Sequence, residues 1–242
     1  MDKAILLAHF GSADDSIRKN IFDKLAAEIR EKFSACEVRQ AFTSNFMIKK
    51  LARRGIAIDT PPEAIKKFRS EGFKRIILLP THLTAGEEFD NKIKICAAAD
   101  IEIISPLMND SLEEILSVII DCFKPVADED LILIGHGSPH RHNPVYEDLQ
   151  RIAGAKVHIG VIERSDTPNF SDVVKRLENS RAEKILLAPL LFNGGVHVEE
   201  DIAGDWFVNL SNAGYKVRVI RDGLGSFKNF RELYIKKLEV RL

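Results

Sequence analysis

The sequence predicts an α/β protein of two similar domains, each a mainly parallel four-stranded sheet with helices on both faces. Short apolar, β-branched runs alternate with longer segments of helical period, which is the pattern of βα units. The chain also repeats itself. Ala4-Ile5-Leu6-Leu7-Ala8 ends in His9-Phe10-Gly11-Ser12, and Leu131-Ile132-Leu133-Ile134 ends in Gly135-His136-Gly137-Ser138. Each half later carries a basic lead-in, an apolar strand and a proline: Lys74-Arg75-Ile76-Ile77-Leu78-Leu79-Pro80, then Lys184-Ile185-Leu186-Leu187-Ala188-Pro189. Aligning those prolines sets Glu88 opposite His197 and Ile93 opposite Ile202.

The elements follow in order. In the first half, strands are expected near 4–9, 37–42, 75–80 and 101–104, and helices near 13–33, 45–54, 62–71, 86–98 and 110–123. Pro61-Pro62 followed by Glu63 marks a helix start, because proline is tolerated in the first turn. The second half repeats the plan, with strands near 130–135, 156–162, 184–190 and 216–220 and helices near 143–153, 169–179, 198–213 and 227–240. The stretch from Lys124 through Pro125 to Asp130 is the expected linker, acidic and without apolar period, which gives domains 1–124 and 125–242.

Composition excludes several classes. Hydrophobic residues make up 45% and charged residues 29% of 242, the balance of a soluble globular protein. A formal net charge of -1 gives no electrostatic case for nucleic acid or an anionic membrane. Cys36, Cys96 and Cys122 are scattered and odd in number, so they read as reduced structural thiols. Met1-Asp2-Lys3 runs straight into a strand without a signal-peptide apolar region. No apolar stretch approaches the roughly 18 residues of a membrane span, and a cytoplasmic location is expected.

Ligands of open parallel sheets bind beyond the carboxyl ends of the strands, and two related halves create a cleft between them. Strand polarity therefore selects His9 to Ser12, Pro80 to Glu88, Gly135 to His142, Glu163 to Asp166 and Pro189 to Asp201. His136, flanked by glycines, exposes an imidazole suited to cobalt, nickel, iron or zinc, although a loop histidine also serves simply to bond its own backbone. His197 starts a helix whose next turn holds Asp201; a cation is disfavoured at a helix start, whereas a neutral ligating imidazole is not. Glu163 ends an apolar strand, where a carboxylate needs a partner, and Arg164 next to it points to the opposite face. Two imidazoles and one carboxylate leave coordination positions open, as suits a metal that is delivered rather than stored. Glu88 in the first half is either a helix-start acid favoured by the dipole or a proton acceptor. His140 and His142 read as substrate contacts, surface residues or local metal ligands.

Together these segments resemble the anaerobic sirohydrochlorin cobaltochelatases, within the class II tetrapyrrole chelatases. The resemblance covers nearly the whole chain and rests on Gly135-His136-Gly137, Glu163, Gly195-Val196-His197 with Asp201, Ala203 and Gly204-Asp205, Gly86-Glu87-Glu88-Phe89, and Asp222-Gly223-Leu224-Gly225 leading to Leu233-Tyr234. It implies two flavodoxin-like domains with a tetrapyrrole cleft, a metal held by His136, Glu163 and His197, and insertion of Co²⁺ into sirohydrochlorin in cobalamin biosynthesis. It implies no organic cofactor and no ATP, with Co²⁺ itself a substrate. His136, His197 and Glu88 are then the catalytic candidates, accepting the two pyrrole protons as the ion enters. Sirohydrochlorin carries eight carboxylates, which makes His140, Arg141 and Arg164 candidate substrate contacts, with Ser12 and Ser138 at equivalent strand ends. His9 departs from the pattern and reads as a degenerate copy of His136 or an added substrate or metal contact.

Three rival readings remain at this stage. Iron or nickel insertion uses the same donor types. A tetrapyrrole or metal carrier keeps the site without turnover. A phosphoryl-transfer enzyme would need an arginine-rich cradle, and the loop from Gly135 to His142 offers only Arg141. Apolar helix faces are compatible with a homo-oligomer, and no sequence feature specifies one.

Overall fold

The computed structural model of the chain describes residues 2–242. In chain order the elements are β1 (Lys3–His9), α1 (Asp15–Ile17), α2 (Asp23–Lys32), β2 (Glu37–Phe42), α3 (Asn45–Ala52), α4 (Pro61–Ser70), β3 (Arg75–Pro80), α5 (Glu87–Lys92), β4 (Ile101–Ile103), α6 (Leu112–Phe123), β5 (Glu129–Gly135), α7 (Val145–Ile152), β6 (Val157–Val161), α8 (Phe170–Ser180), β7 (Lys184–Pro189), α9 (Phe207–Asn212), β8 (Lys216–Val219) and α10 (Lys228–Glu239). A π-helical turn, Arg18–Phe22, joins α1 to α2, and a longer one, Val198–Trp206, leads into α9. All eight strands expected from the alternation are present, each within a residue or two of its predicted bounds.

Two four-stranded parallel sheets form, in the order β2-β1-β3-β4 and β6-β5-β7-β8. Both therefore have the doubly wound arrangement in which the chain reverses direction beside its first strand. Consecutive residues of the inner strands are fully buried, Ile5, Leu6 and Leu7 in β1 as much as Ile132, Leu133 and Ile134 in β5. Burial of both faces is the reason these segments read as continuous apolar runs. On one face of the first sheet, Ala64, Ile65 and Phe68 of α4 and Phe89 of α5 pack against Leu6 and Leu78. In the second sheet the equivalent face is covered by Val173 and Leu177 of α8 and by Val198, Ile202 and Trp206 of the π-helical turn.

The chain divides into one unit of Met1–Asn109 with Arg231–Leu242 and a second of Asp110–Phe230. This differs from the expected division at 124/125. The helix after the fourth strand of each repeat is the cause. α6 carries a strong apolar stripe, Ile115, Leu116 and Ile119, and makes its helix contacts with α7 of the second unit. α10 returns to the first unit, where the Tyr234 hydroxyl donates to Thr81 O at 3.2 Å and Arg231 Nε donates to Glu28 Oε2 at 2.8 Å. Amphipathic period shows that such a helix must be covered, and not by which sheet.

The ladders also fix how the repeats correspond. Ala8 pairs with Pro80, and Ile134 pairs with Pro189. Hence Phe10, not His9, is the counterpart of His136, and His9 takes the place of Gly135. A Cβ on Gly135 would stand 2.3 Å from Tyr146 Cε1. Gly135→Ala is expected to cost about 1–3 kcal/mol through overpacking, read as a lowered Tm in thermal unfolding; an unchanged Tm would contradict close packing at this strand end.

Candidate metal centre

In the second unit β5 lies between β6 and β7, so the loops leaving β5 and β7 depart to opposite faces of the sheet and open the crevice where such folds bind ligands. His136 is the first residue beyond β5, and His197 lies in the turn that follows β7. Their rings stand 4.6 Å apart between centroids at an interplanar angle of 85°. A metal–nitrogen bond of about 2.1 Å puts an imidazole centroid roughly 3.2 Å from the ion, so two cis ligands at a right angle have centroids about 4.5 Å apart. The observed centroid spacing is of that size.

Local backbone chemistry sets both rings. Gly137 has φ +74°, and a Cβ there would lie 3.0 Å from the Val161 Cβ and 3.1 Å from the Glu163 Cβ, so only glycine lets the strand end close on β6. The His136 Nδ1–H donates to Gly137 O at 3.1 Å. The His197 Nδ1–H donates to Asp201 Oδ2 at 2.9 Å. A carbonyl and a carboxylate only accept, so both imidazoles carry their proton on Nδ1 and present the Nε2 lone pair. Both residues are exposed. The π-helical turn buries Val198, Ile202 and Trp206, while His197 stands at its N-terminal end and bonds Asp201. An ordinary α-helix was expected over 198–213; the wider turn is a feature that side-chain period does not reveal.

The carboxylate of the expected ligand set is not gathered in. Among the described residues, no group of three or more His, Cys, Asp or Glu side chains is arranged to hold a metal ion. Glu163 adjoins His136 through the backbone, donating its N–H to His136 O at 3.0 Å, but its Oε1 accepts from the Ser165 hydroxyl at 3.0 Å. The serine satisfies a carboxylate that would otherwise stand unpaired.

The remaining candidates separate clearly. Ser138 serves its own loop, its Oγ accepting from Arg141 N at 3.1 Å while its N–H donates to Asp166 Oδ2 at 2.9 Å. His140 and Arg141 are exposed, and Arg164 forms an outlying ion pair with Asp205 at 3.4 Å. His142 Nδ1 donates to Asp166 Oδ1 at 2.7 Å, and this hydrogen bond, with Glu147 nearby, raises the His142 pKa above the usual imidazole value. Asp166 closes the strand-end window from Glu163 that the sequence selects, but no role was read for it there, because its partners lie in another loop.

In the first unit, Glu88 stands half-buried in the first turn of α5, where the helix dipole favours an acid. Ser12 is buried and its Oγ accepts from Asp14 N at 3.1 Å, so it shapes a turn rather than facing a ligand. His9 is corrected likewise. It is wholly buried, stacked on Phe22 at 4.2 Å, with Nε2–H donating to Gln40 Oε1 at 3.1 Å and Nδ1 accepting from the Thr81 hydroxyl at 3.0 Å. Burial pushes its pKa down to about 3, opposed in part by Gln40, so the ring is a neutral core group. A histidine depressed in the fold contributes stability that is full above its unfolded value near 6.5 and is lost as pH falls toward 3. His9→Leu should therefore flatten the acid limb of the stability–pH curve between those values, measured by urea unfolding; an unaltered limb would contradict the neutral buried ring.

The sequence profile of the family described as Cobalt chelatase (CbiK) matches residues 3–241. The sirohydrochlorin cobaltochelatase of Salmonella typhimurium is 26% identical over 267 residues, which span 100% of this chain and 97% of that one. The sirohydrochlorin cobaltochelatase CbiKC of Nitratidesulfovibrio vulgaris is 27% identical, over 98% of this chain and 89% of its own. Among solved structures, the sirohydrochlorin chelatase SirB from Bacillus subtilis subspecies spizizenii in complex with cobalt superposes with a TM-score of 0.67 at 16% identity, covering 99% of this chain and 94% of that one, a likeness of fold. With its family profile matched from the first strand to the last helix, the chain belongs to the Cobalt chelatase (CbiK) family.

Proposed function

We propose that this chain inserts Co²⁺ into sirohydrochlorin, with release of two pyrrole protons. The observation that carries the reading is the pair of Nε2 lone pairs on His136 and His197 at the switch point of the second sheet, in a chain of the cobalt chelatase family. Two neutral imidazoles bind a divalent ion firmly enough to dehydrate it and leave positions open for the incoming ring nitrogens. Glu163 is the third donor, reached when its carboxylate turns from Ser165. The exchange conserves charge, since two protons leave as one divalent ion enters the macrocycle.

The ring nitrogens present their lone pairs to a metal only when the macrocycle is bent, and contacts with its peripheral carboxylates supply that distortion. His140, Arg141 and Arg164, exposed around the ligand loops, are the cationic or polar groups assigned to those carboxylates. Glu88 accepts a departing proton, with the histidines freed on metal transfer as further acceptors. Every step uses side chains and the two substrates, without an organic cofactor. Among the described residues no helix is long and apolar enough to cross a membrane.

The test is anaerobic metal insertion into sirohydrochlorin, followed by the absorbance of the ring with Co²⁺, Fe²⁺ and Ni²⁺ compared. His136→Ala and His197→Ala should each lower the cobalt rate by roughly two orders of magnitude or more, because even outer partners of metal ligands are worth about 10–100-fold. Tight tetrapyrrole binding without acceleration would instead indicate a carrier, and faster insertion of another metal would reassign the ion.

A further inference from the structure

We propose that Asp166 is the positioning residue of His136, acting through the peptide between Gly137 and Ser138. The inference rests on the reading of His136 as a metal ligand. Asp166 is 3% exposed, yet its carboxylate accepts three N–H groups: Ser138 N on Oδ2 at 2.9 Å, and Thr167 N at 2.8 Å and His142 Nδ1 at 2.7 Å on Oδ1. Its own N–H donates to Glu163 O at 3.2 Å. A carboxylate inside a protein is tolerated only with such bonds, and here they join the loop after β5 to the loop after β6.

The Ser138 N–H and the Gly137 C=O belong to one peptide unit. That unit is planar and trans, so its N–H and C=O point in opposite directions. Asp166 holds the N–H end; the C=O end then faces the His136 Nδ1–H, which donates to it at 3.1 Å. The line runs carboxylate, peptide, imidazole. It matches in kind the direct bond between His197 and Asp201, with a peptide interposed. Each histidine of the pair thus has a buried or half-buried carboxylate behind it, one direct and one relayed. Outer partners of this sort fix the tautomer and raise the basicity of the nitrogen that meets the ion.

Gly137 is part of the device. A Cβ at that position would approach Asp166 Oδ2 to 3.2 Å and the Glu163 Cβ to 3.1 Å, so a side chain there would lift the peptide off the carboxylate. Asp166 bonds the Ser138 peptide and not the His136 ring, and acts on that ring only by orienting the peptide.

Asp166→Asn keeps the shape and replaces one acceptor by an NH₂ donor, which must face at least one of the N–H groups now satisfied. Imidazole ¹⁵N shifts of the full-length, metal-free protein report the His136 tautomer, and Co²⁺ titration reports affinity. In the wild type the proton is expected on Nδ1; in Asp166→Asn the Nε2–H form should become populated, with Co²⁺ affinity down about 10–100-fold and the KM for sirohydrochlorin unchanged. His142→Gln, which leaves the Ser138 bond in place, should keep the Nδ1–H tautomer. A wild-type His136 protonated on Nε2 would overturn the relay even if Asp166→Asn failed to fold. So would Asp166→Asn with unaltered tautomer and affinity beside a His136→Ala protein that has lost Co²⁺. If His136→Ala itself bound Co²⁺ normally, the ligand assignment would fail, and the tautomer shift alone would still judge Asp166.

Discussion

The parallel ladder between β5 and β7 is the constraint on which the site depends. With Ile134 paired to Pro189, the two strands end level, and the chain leaves β5 and β7 toward opposite faces of the sheet. His136 and His197 are carried on those two departures. His136 is the residue next to β5, and His197 stands beyond the loop that follows β7, at the N-terminal end of the π-helical turn. A rigid scaffold holds the two imidazole planes near 90° to each other.

Proton placement follows from the same backbone. The acceptors behind the rings, Gly137 O and the Asp201 carboxylate, leave Nε2 on both histidines as the exposed base. Glu163, by contrast, is occupied by Ser165. On the proposed ligand assignment, two nitrogens bind with a carboxylate in reserve, which suits an ion that has to be handed on rather than retained.

Much of this was legible in the sequence, for identifiable reasons. Strands buried on both faces appear as unbroken apolar runs, and the recurrence of strand, glycine and proline landmarks exposed the duplication. The strand-end rule then led to His136 and His197, which the structure does bring together. The errors have physical causes. His9 looked like a copy of His136 because each closes an apolar strand just before a Gly-Ser pair, whereas ladder register makes Phe10 the counterpart and puts His9 inside, stacked on Phe22. Ser12 and Ser138 proved to bond their own loops. The partners of α6 and α10 are long-range facts that amphipathic period does not encode, and Asp166 gains its importance only when two loops distant in sequence close over it.

The proposed centre binds one divalent ion through the Nε2 atoms of both histidines. X-ray absorption at the cobalt edge of the Co²⁺-loaded, tetrapyrrole-free protein measures it most directly, because outer-shell scattering counts imidazole ligands. Two imidazole nitrogens are expected in the wild type and one in either His136→Ala or His197→Ala. A first shell of oxygen alone, or an imidazole count unaffected by either substitution, would contradict it.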